Sequence, residues 1–163
     1  MNKSGSRGFT LIELVVVIVI LAILAATVLP RFAELSDEAH RASVQGTAGA
    51  IGSAVALVKA QWTAKGAPGE VTDGLEGFGR DNVNTNDDGW PVSTTDGTGN
   101  DCVDLWGALL QSNAPTVSAS TDDGTDYSAS VVDGDCRYTY ELDGEGNYIQ
   151  YDSEEGEVFT VIN

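Results

Sequence analysis

Glu13 is the first residue in this chain whose chemistry needs an explanation. In RGFTLIELVVV, residues 7–17, it opens a stretch from Phe9 to Leu29 in which only Thr10, Glu13 and Thr27 are not plainly apolar. An ionised carboxylate at membrane depth costs roughly 2–4 kcal/mol or more, depending on the reference scale. It therefore calls for a partner, and none is evident later in the run. Two thiols form the next candidate pair, Cys102 and Cys136, both far from the apolar segment. In an oxidising compartment two such thiols usually pair, whereas in a cytosolic protein they would stay free. Closing a loop of this length contributes roughly 3–4 kcal/mol in the chain-entropy account.

Oxygen-rich turns supply a third kind of chemistry. In NTNDDG, residues 84–89, Asn84, Asn86 and Asp88 alternate before Gly89, like the first half of an EF-hand calcium loop. The first ligand is Asn rather than Asp, and Thr95 stands where the bidentate Glu belongs. DGEGN, residues 143–147, is a second acidic turn. Such loops either bind calcium weakly or are simply solvated, and neither is assigned as a metal site. The one histidine, His40, falls on the polar side of a helical pattern, where a solvated side chain is expected. There is no HExxH, GxSxG, phosphate loop or CxxC. No catalytic residue, cofactor or enzyme activity is expected.

The elements that hold these residues begin with the apolar run. Its 21 residues make about 31 Å of helix, enough for a bilayer core of about 30 Å. Lys3 and Arg7 precede it, which keeps the short N-terminal tail cytoplasmic and sends the C-terminal bulk across. No A-x-A-like cleavage site follows, and the run continues into a helical pattern, so the segment is expected to be retained. Across the whole chain 25 acidic residues face 8 basic ones, a net charge of -17. That surface repels phosphate, so no nucleic-acid partner is expected.

A short basic leader ending in Gly8, then Phe-Thr-Leu-Ile-Glu-Leu and an apolar run, resembles the prepilin motif of type IV pilins and related pseudopilins. The resemblance implies cleavage between Gly8 and Phe9 by a prepilin peptidase and methylation of the new Phe9 amine. It also implies assembly through Phe9, Glu13 and Pro30. The Glu13 carboxylate of one subunit would meet the Phe9 amine of the next, which sets register more than affinity, because a mismatch leaves a buried charge unpaired. Pro30 removes one backbone hydrogen bond and should bend or loosen the helix, as it does in pilins on assembly.

Beyond Pro30, Phe32, Leu35, Ala39, Ala42, Ala48, Ile51, Val55, Val58 and Trp62 recur mostly at spacings of three and four. The spacing predicts one helix from Phe9 to about Lys65, ended by Gly66, Pro68 and Gly69. Gly46, Gly49 and Gly52 within it mark either a close backbone approach or a weak, flexible half-turn. Residues 67–101 read as a long connection. A short helix is predicted in CVDLWGALLQ, with Val103, Trp106, Leu109 and Leu110 on one face. Strands are predicted at 127–132, 136–142, 148–151 and 157–162, joined by DGD, DGEGN and DSEEG turns.

The expected fold class is α+β, a long N-terminal helical stem packed on a C-terminal antiparallel sheet. The expected parts are a removed leader (1–8), a transmembrane and polymerisation helix (9–30), an amphipathic half of the stem (31–66) and a globular head (67–163). GWPV, DCVDLWGALL, CRYTY and EGEVFTV together look most like pilins of the mannose-sensitive haemagglutinin type.

The function implied is a structural subunit of a type IV pilus. It would be an inner-membrane precursor that becomes a helical homopolymer outside the cell, through the pilus assembly machinery. A pseudopilin of a type II secretion system, a minor adhesive pilin and a membrane-anchored binding protein are the alternatives. Major pseudopilins usually lack a C-terminal cysteine pair, which favours the pilin. Glu13 and the Gly8–Phe9 junction have no purpose in a lone anchor.

Overall fold

A computed structural model describes residues 9–97, 101–121 and 123–163. The chain forms two compact units, residues 1–39 and 40–163. One helix, α1 (Leu11–Ala64), contributes to both and is continuous through Pro30. In the first unit every described residue from Phe9 to Phe32 is exposed. The Val- and Ile-rich run has only modest intrinsic helix propensity. In lipid, however, a helix satisfies every backbone polar group within the segment itself.

In the second unit α1 buries a stripe of Val44, Ala48, Ile51, Val55, Val58 and Trp62. The spacings of three and four put these side chains on one face. Phe32, Leu35, Ala39 and Ala42, expected on the same stripe, are exposed instead. Periodicity reports a face that wants burial, not what covers it. Gly66 (φ +90) and Ala67 end the helix as a Schellman cap. Gly66 N–H donates to the Thr63 carbonyl at 3.0 Å and Ala67 N–H to that of Trp62 at 3.1 Å. Of the three helix glycines, Gly52 faces Val158, 3.9 Å from where a Cβ would stand, while Gly46 and Gly49 have no neighbour within 4 Å.

Residues 67–101 read as a long connection with little periodicity, and here the structure differs. They contain a two-stranded antiparallel hairpin, β1 (Val83–Thr85) and β2 (Pro91–Thr94), with a register shift at Asn84/Thr85. Polar side chains hold it, and they hide the alternation that marks a strand. Asn84 Oδ1 accepts from Gly74 N–H at 3.1 Å, and its Nδ2 donates to Ser93 Oγ at 3.0 Å. Leu75 and Val83 anchor the segment in the core.

Helix α2 (Asp101–Leu109) follows and buries Cys102, Leu105, Trp106 and Leu109. The buried face is thus rotated from the expected one, since Val103 and Leu110 are only half-buried. The main sheet has the order β3-β4-β5-β6-β7. Its strands are β3 (Val117–Ser118), β4 (Tyr127–Val132), β5 (Asp135–Tyr140), β6 (Tyr148–Asp152) and β7 (Glu157–Val161). β3 pairs parallel to β4 over two residues, and the other pairs are antiparallel. Asp133 (φ 56) and Gly134 (φ 98) form the two-residue turn between β4 and β5, where both positions need positive φ. Tyr127, Ala129, Cys136, Tyr138, Tyr140, Ile149 and Tyr151 line the buried face and share one core with α1 and α2. The fold is α+β, a long N-terminal helix with a mostly antiparallel sheet.

Candidate functional site

At the start of α1, the Glu13 carboxylate has a partner three residues before it. Thr10 N–H donates to Glu13 Oε2 at 2.9 Å, and Thr10 Oγ1 donates to the same oxygen at 2.7 Å. Glu13 N–H donates back to Thr10 Oγ1 at 3.3 Å. This reciprocal pattern is a capping box, which satisfies free N–H groups at a helix start. The sequence signal, Thr-x-x-Glu, was present in TLIE. A search for a partner later in the run passes over it. Gly8 lies outside the described residues, and Phe9 beside it is 82% exposed. Pro30 lies on the same helix, within the first unit, so α1 carries Glu13 and Pro30 with Phe9 just before it.

In the second unit Cys102 and Cys136 are joined by a disulfide, with Cα atoms 5.3 Å apart. It ties the first turn of α2 to the start of β5. Tyr138 OH donates to the Cys102 carbonyl at 2.9 Å inside the core. Trp106 stacks at a tilt on both Tyr127 and Tyr138, with ring centroids 5.0 and 4.8 Å away. Burial pushes the Tyr127 hydroxyl up to about 12. It pushes Tyr138 and Tyr151 higher still, because ionising a phenol there strands a charge away from water.

His40 is not solvated on a polar face. It is half-buried, and its Nδ1 lies 2.9 Å from the Tyr140 hydroxyl. The polar neighbours of His40 in sequence concealed a partner that lies a hundred residues away.

In the NTNDDG turn the side-chain oxygens of Asn84 and Asn86, two of the three candidate calcium ligands, accept bonds from the protein itself. Asn86 Oδ1 accepts from Asp88 N–H at 3.1 Å and Trp90 N–H at 2.9 Å, while Asp87 Oδ1 accepts from Glu70 N–H at 3.1 Å. In DGEGN, the buried Asn147 amide donates to Asp143 Oδ2 at 2.6 Å, and its oxygen accepts from Asn163 N–H at 2.8 Å. Both turns are held by their own donors and acceptors. The Lys59 ammonium donates to the Asp88 carbonyl and stands 4.6 Å from the ring centres of both Trp62 and Trp90. Gly89 (φ +80) permits this packing, since a Cβ there would meet the Trp62 ring at 2.3 Å.

Comparison with known proteins bears on the first unit most directly. The prokaryotic N-terminal methylation motif matches residues 3–29. The type IV narrow pilus major component PilA5 of Thermus thermophilus is 52% identical over 63 residues, 39% of this chain and 53% of that protein. Type II secretion system core protein G of Klebsiella michiganensis and that of Pseudomonas aeruginosa are each 42% identical over 59 residues. This is 36% of the present chain and 42% of theirs. The chain spans about half the length of the curated relatives it matches. No solved structure matches it. The chain therefore carries a prokaryotic N-terminal methylation motif, the type IV pilin signal, and is similar to pilus and secretion subunits over roughly a third of its length.

Proposed function

We propose that this chain is a structural subunit of a type IV pilus. It is made as an inner-membrane precursor, cut between Gly8 and Phe9 by a prepilin peptidase and methylated at Phe9. Copies then assemble into a helical homopolymer outside the cell through the N-terminal part of α1. One observation carries this reading. The methylation motif runs into a helix long and apolar enough to cross a membrane, and every described residue from Phe9 to Phe32 is exposed. Exposed apolar surface costs about 25 cal/mol per Å² in water, so this segment needs lipid first and other copies afterwards. The PilA5 likeness supports the pilus.

Glu13 then has two roles that one substitution separates. Capping boxes accept Glu or Gln at the third helical position, whereas only the carboxylate can neutralise a neighbour's Phe9 amine. Glu13→Gln should therefore be cleaved and held in the membrane normally, yet yield at least tenfold fewer sheared filaments. Thr10→Ala should lose the cap and keep most filaments. A normal filament yield from Glu13→Gln would overturn the charge-pair role. Mass spectrometry of sheared wild-type filaments should find this chain as the dominant protein, and a trace amount would point to a minor subunit.

The likeness to type II secretion core protein G favours a second reading, a pseudopilin of a short periplasmic fibre. Fibres that appear on cells only when secretion-channel components are overproduced would select it.

A further inference from the structure

Ring contacts inside the second unit run in an unbroken series. Tyr138 lies 4.8 Å from Trp106, Trp106 5.0 Å from Tyr127, and Tyr127 5.1 Å from Tyr140, centroid to centroid. Tyr140 in turn tilts against the His40 ring at 5.6 Å. One end of the series is tied to the disulfide, because Tyr138 OH donates to the Cys102 carbonyl. The other end reaches half-buried His40 on α1. Indoles and phenols are the rings that give up single electrons most readily, and rings in contact exchange them.

What such a ring does after losing an electron depends on its proton. The oxidised ring is a strong acid, and it settles as a neutral radical only where a base can take the proton. The Trp106 N–H meets the Pro115 carbonyl at 3.0 Å, and the Tyr138 hydroxyl meets the Cys102 carbonyl at 2.9 Å. Neither carbonyl is a base of any strength. The Tyr127 hydroxyl is buried without a hydrogen-bond partner, and the Thr47 hydroxyl near it donates to the Ser43 carbonyl. Of the four rings, only Tyr140 has a nitrogen base among the described residues. Its hydroxyl lies 2.9 Å from His40 Nδ1, within reach for proton transfer when the imidazole carries its own proton on Nε2. Burial, and then the charges of Asp143 and Asp126, oppose a phenolate at Tyr140. A phenoxyl radical is neutral and escapes that penalty. A recess of about 330 Å³, lined in part by Ser43, Asp126 and Leu142, opens beside Tyr140.

We propose that Tyr138, Trp106, Tyr127 and Tyr140 form a relay that carries oxidising equivalents out of the core and holds them at the Tyr140–His40 pair. A one-electron oxidant, such as an inorganic or oxygen-centred radical, takes one electron from a ring and is reduced by it. Tyr140 supplies an electron along the chain to refill the vacancy. Its O–H bond breaks, and the proton joins His40 Nδ1. The products are a neutral Tyr140 phenoxyl radical and an imidazolium. A thiol or enediol reductant entering the recess returns the electron, and His40 returns the proton. Trp106 and the disulfide are left unchanged. The relay lies wholly within residues 40–163, so it stands apart from the pilus reading.

The test uses the full mature chain, residues 9–163, in detergent, with photogenerated ruthenium(III) tris-bipyridine as the one-electron oxidant. Freeze-quenched wild type should give the electron paramagnetic resonance signal of a tyrosyl radical. Tyr140→Phe, which keeps the ring and removes one oxygen, should abolish it. His40→Gln keeps a hydrogen-bonding side chain but no base, and should lower the signal roughly tenfold or more. Tyr148→Phe and Tyr151→Phe should leave it intact. Peptide mass spectrometry reads the relay itself. Tyr127→Phe interrupts the chain while Tyr140 and His40 stay in place, and oxidised Trp106 should rise at least threefold over wild type. Absence of a tyrosyl signal in the wild type overturns the proposal, as does a signal that survives Tyr140→Phe or is unmoved by His40→Gln. Equal Trp106 oxidation in wild type and Tyr127→Phe overturns the relay.

Discussion

Buried phenols make the response to alkali a property of a few residues. Tyr127, Tyr138 and Tyr151 are fully or almost fully buried, and burial raises each above the ordinary value near 10. The unfolded chain releases these protons near pH 10, while the folded chain holds them. The stability they confer is therefore complete below about pH 10 and falls as pH rises toward about 12, the folded value of Tyr127. Each tyrosine contributes up to roughly 1.4 kcal/mol of loss per pH unit in that window. Melting curves across that window should show Tm level up to about pH 10 and dropping beyond it. Removing one hydroxyl tests the same core by another route. Tyr138→Phe loses its bond to the Cys102 carbonyl and should cost about 1 kcal/mol, read as a lower urea midpoint at unchanged slope. Residue chemistry was legible in the sequence where it is local, and not otherwise. The Thr10–Glu13 cap is spelled out in four consecutive letters. The His40–Tyr140 contact joins positions a hundred apart, and nothing near either residue announces it.

Among the elements, the β4–β5 hairpin and the strands after it follow closely from their β-branched and aromatic runs between acidic turns, although only β5 alternates cleanly between core and surface. The β1–β2 hairpin does not, since Asn84 and Asn86 stabilise it through side-chain hydrogen bonds that leave no periodic trace. β3 is two residues long and parallel, too short to carry any pattern. The disulfide joins elements of both kinds. It closes a separation of 34 residues, for which the chain-entropy account gives about 3–4 kcal/mol. The double variant Cys102→Ala/Cys136→Ala should lose about that much in urea unfolding. Hydrogen exchange in α2 should rise more than in β5 and β6, which keep their sheet neighbours. At the turn between β1 and β2, Gly89→Ala combines a positive φ with a clash against the Trp62 ring. It should lower stability by at least about 2 kcal/mol, a larger loss than Tyr138→Phe.

For the molecule as a whole, a net charge of -17 sets the terms on which copies approach one another. Like-charged surfaces repel over about 30 Å at ~10 mM salt and about 8 Å at physiological ionic strength. Filaments built from this chain should therefore cohere better as salt rises, and the pelleted fraction of sheared material should increase over that range. The exposed apolar stretch from Phe9 to Leu29 was legible at this scale because composition alone marks it. Which part of α1 the core would cover was not, because Phe32 and Leu35 continue the same rhythm as Ile51 and Val55.

The placement of the three tryptophans has a practical consequence. Trp62 and Trp90 flank one lysine between α1 and the β1–β2 hairpin, whereas Trp106 sits among tyrosines under the main sheet. The second unit is thereby supplied with two separate optical gauges. In a Trp106→Phe chain all tryptophan emission would come from the Lys59 pair and would report the hairpin leaving α1. In a chain with Trp62 and Trp90 replaced by Phe, it would report α2 leaving the sheet. Whether the two ends of this core come apart together then becomes a question of whether two emission curves coincide.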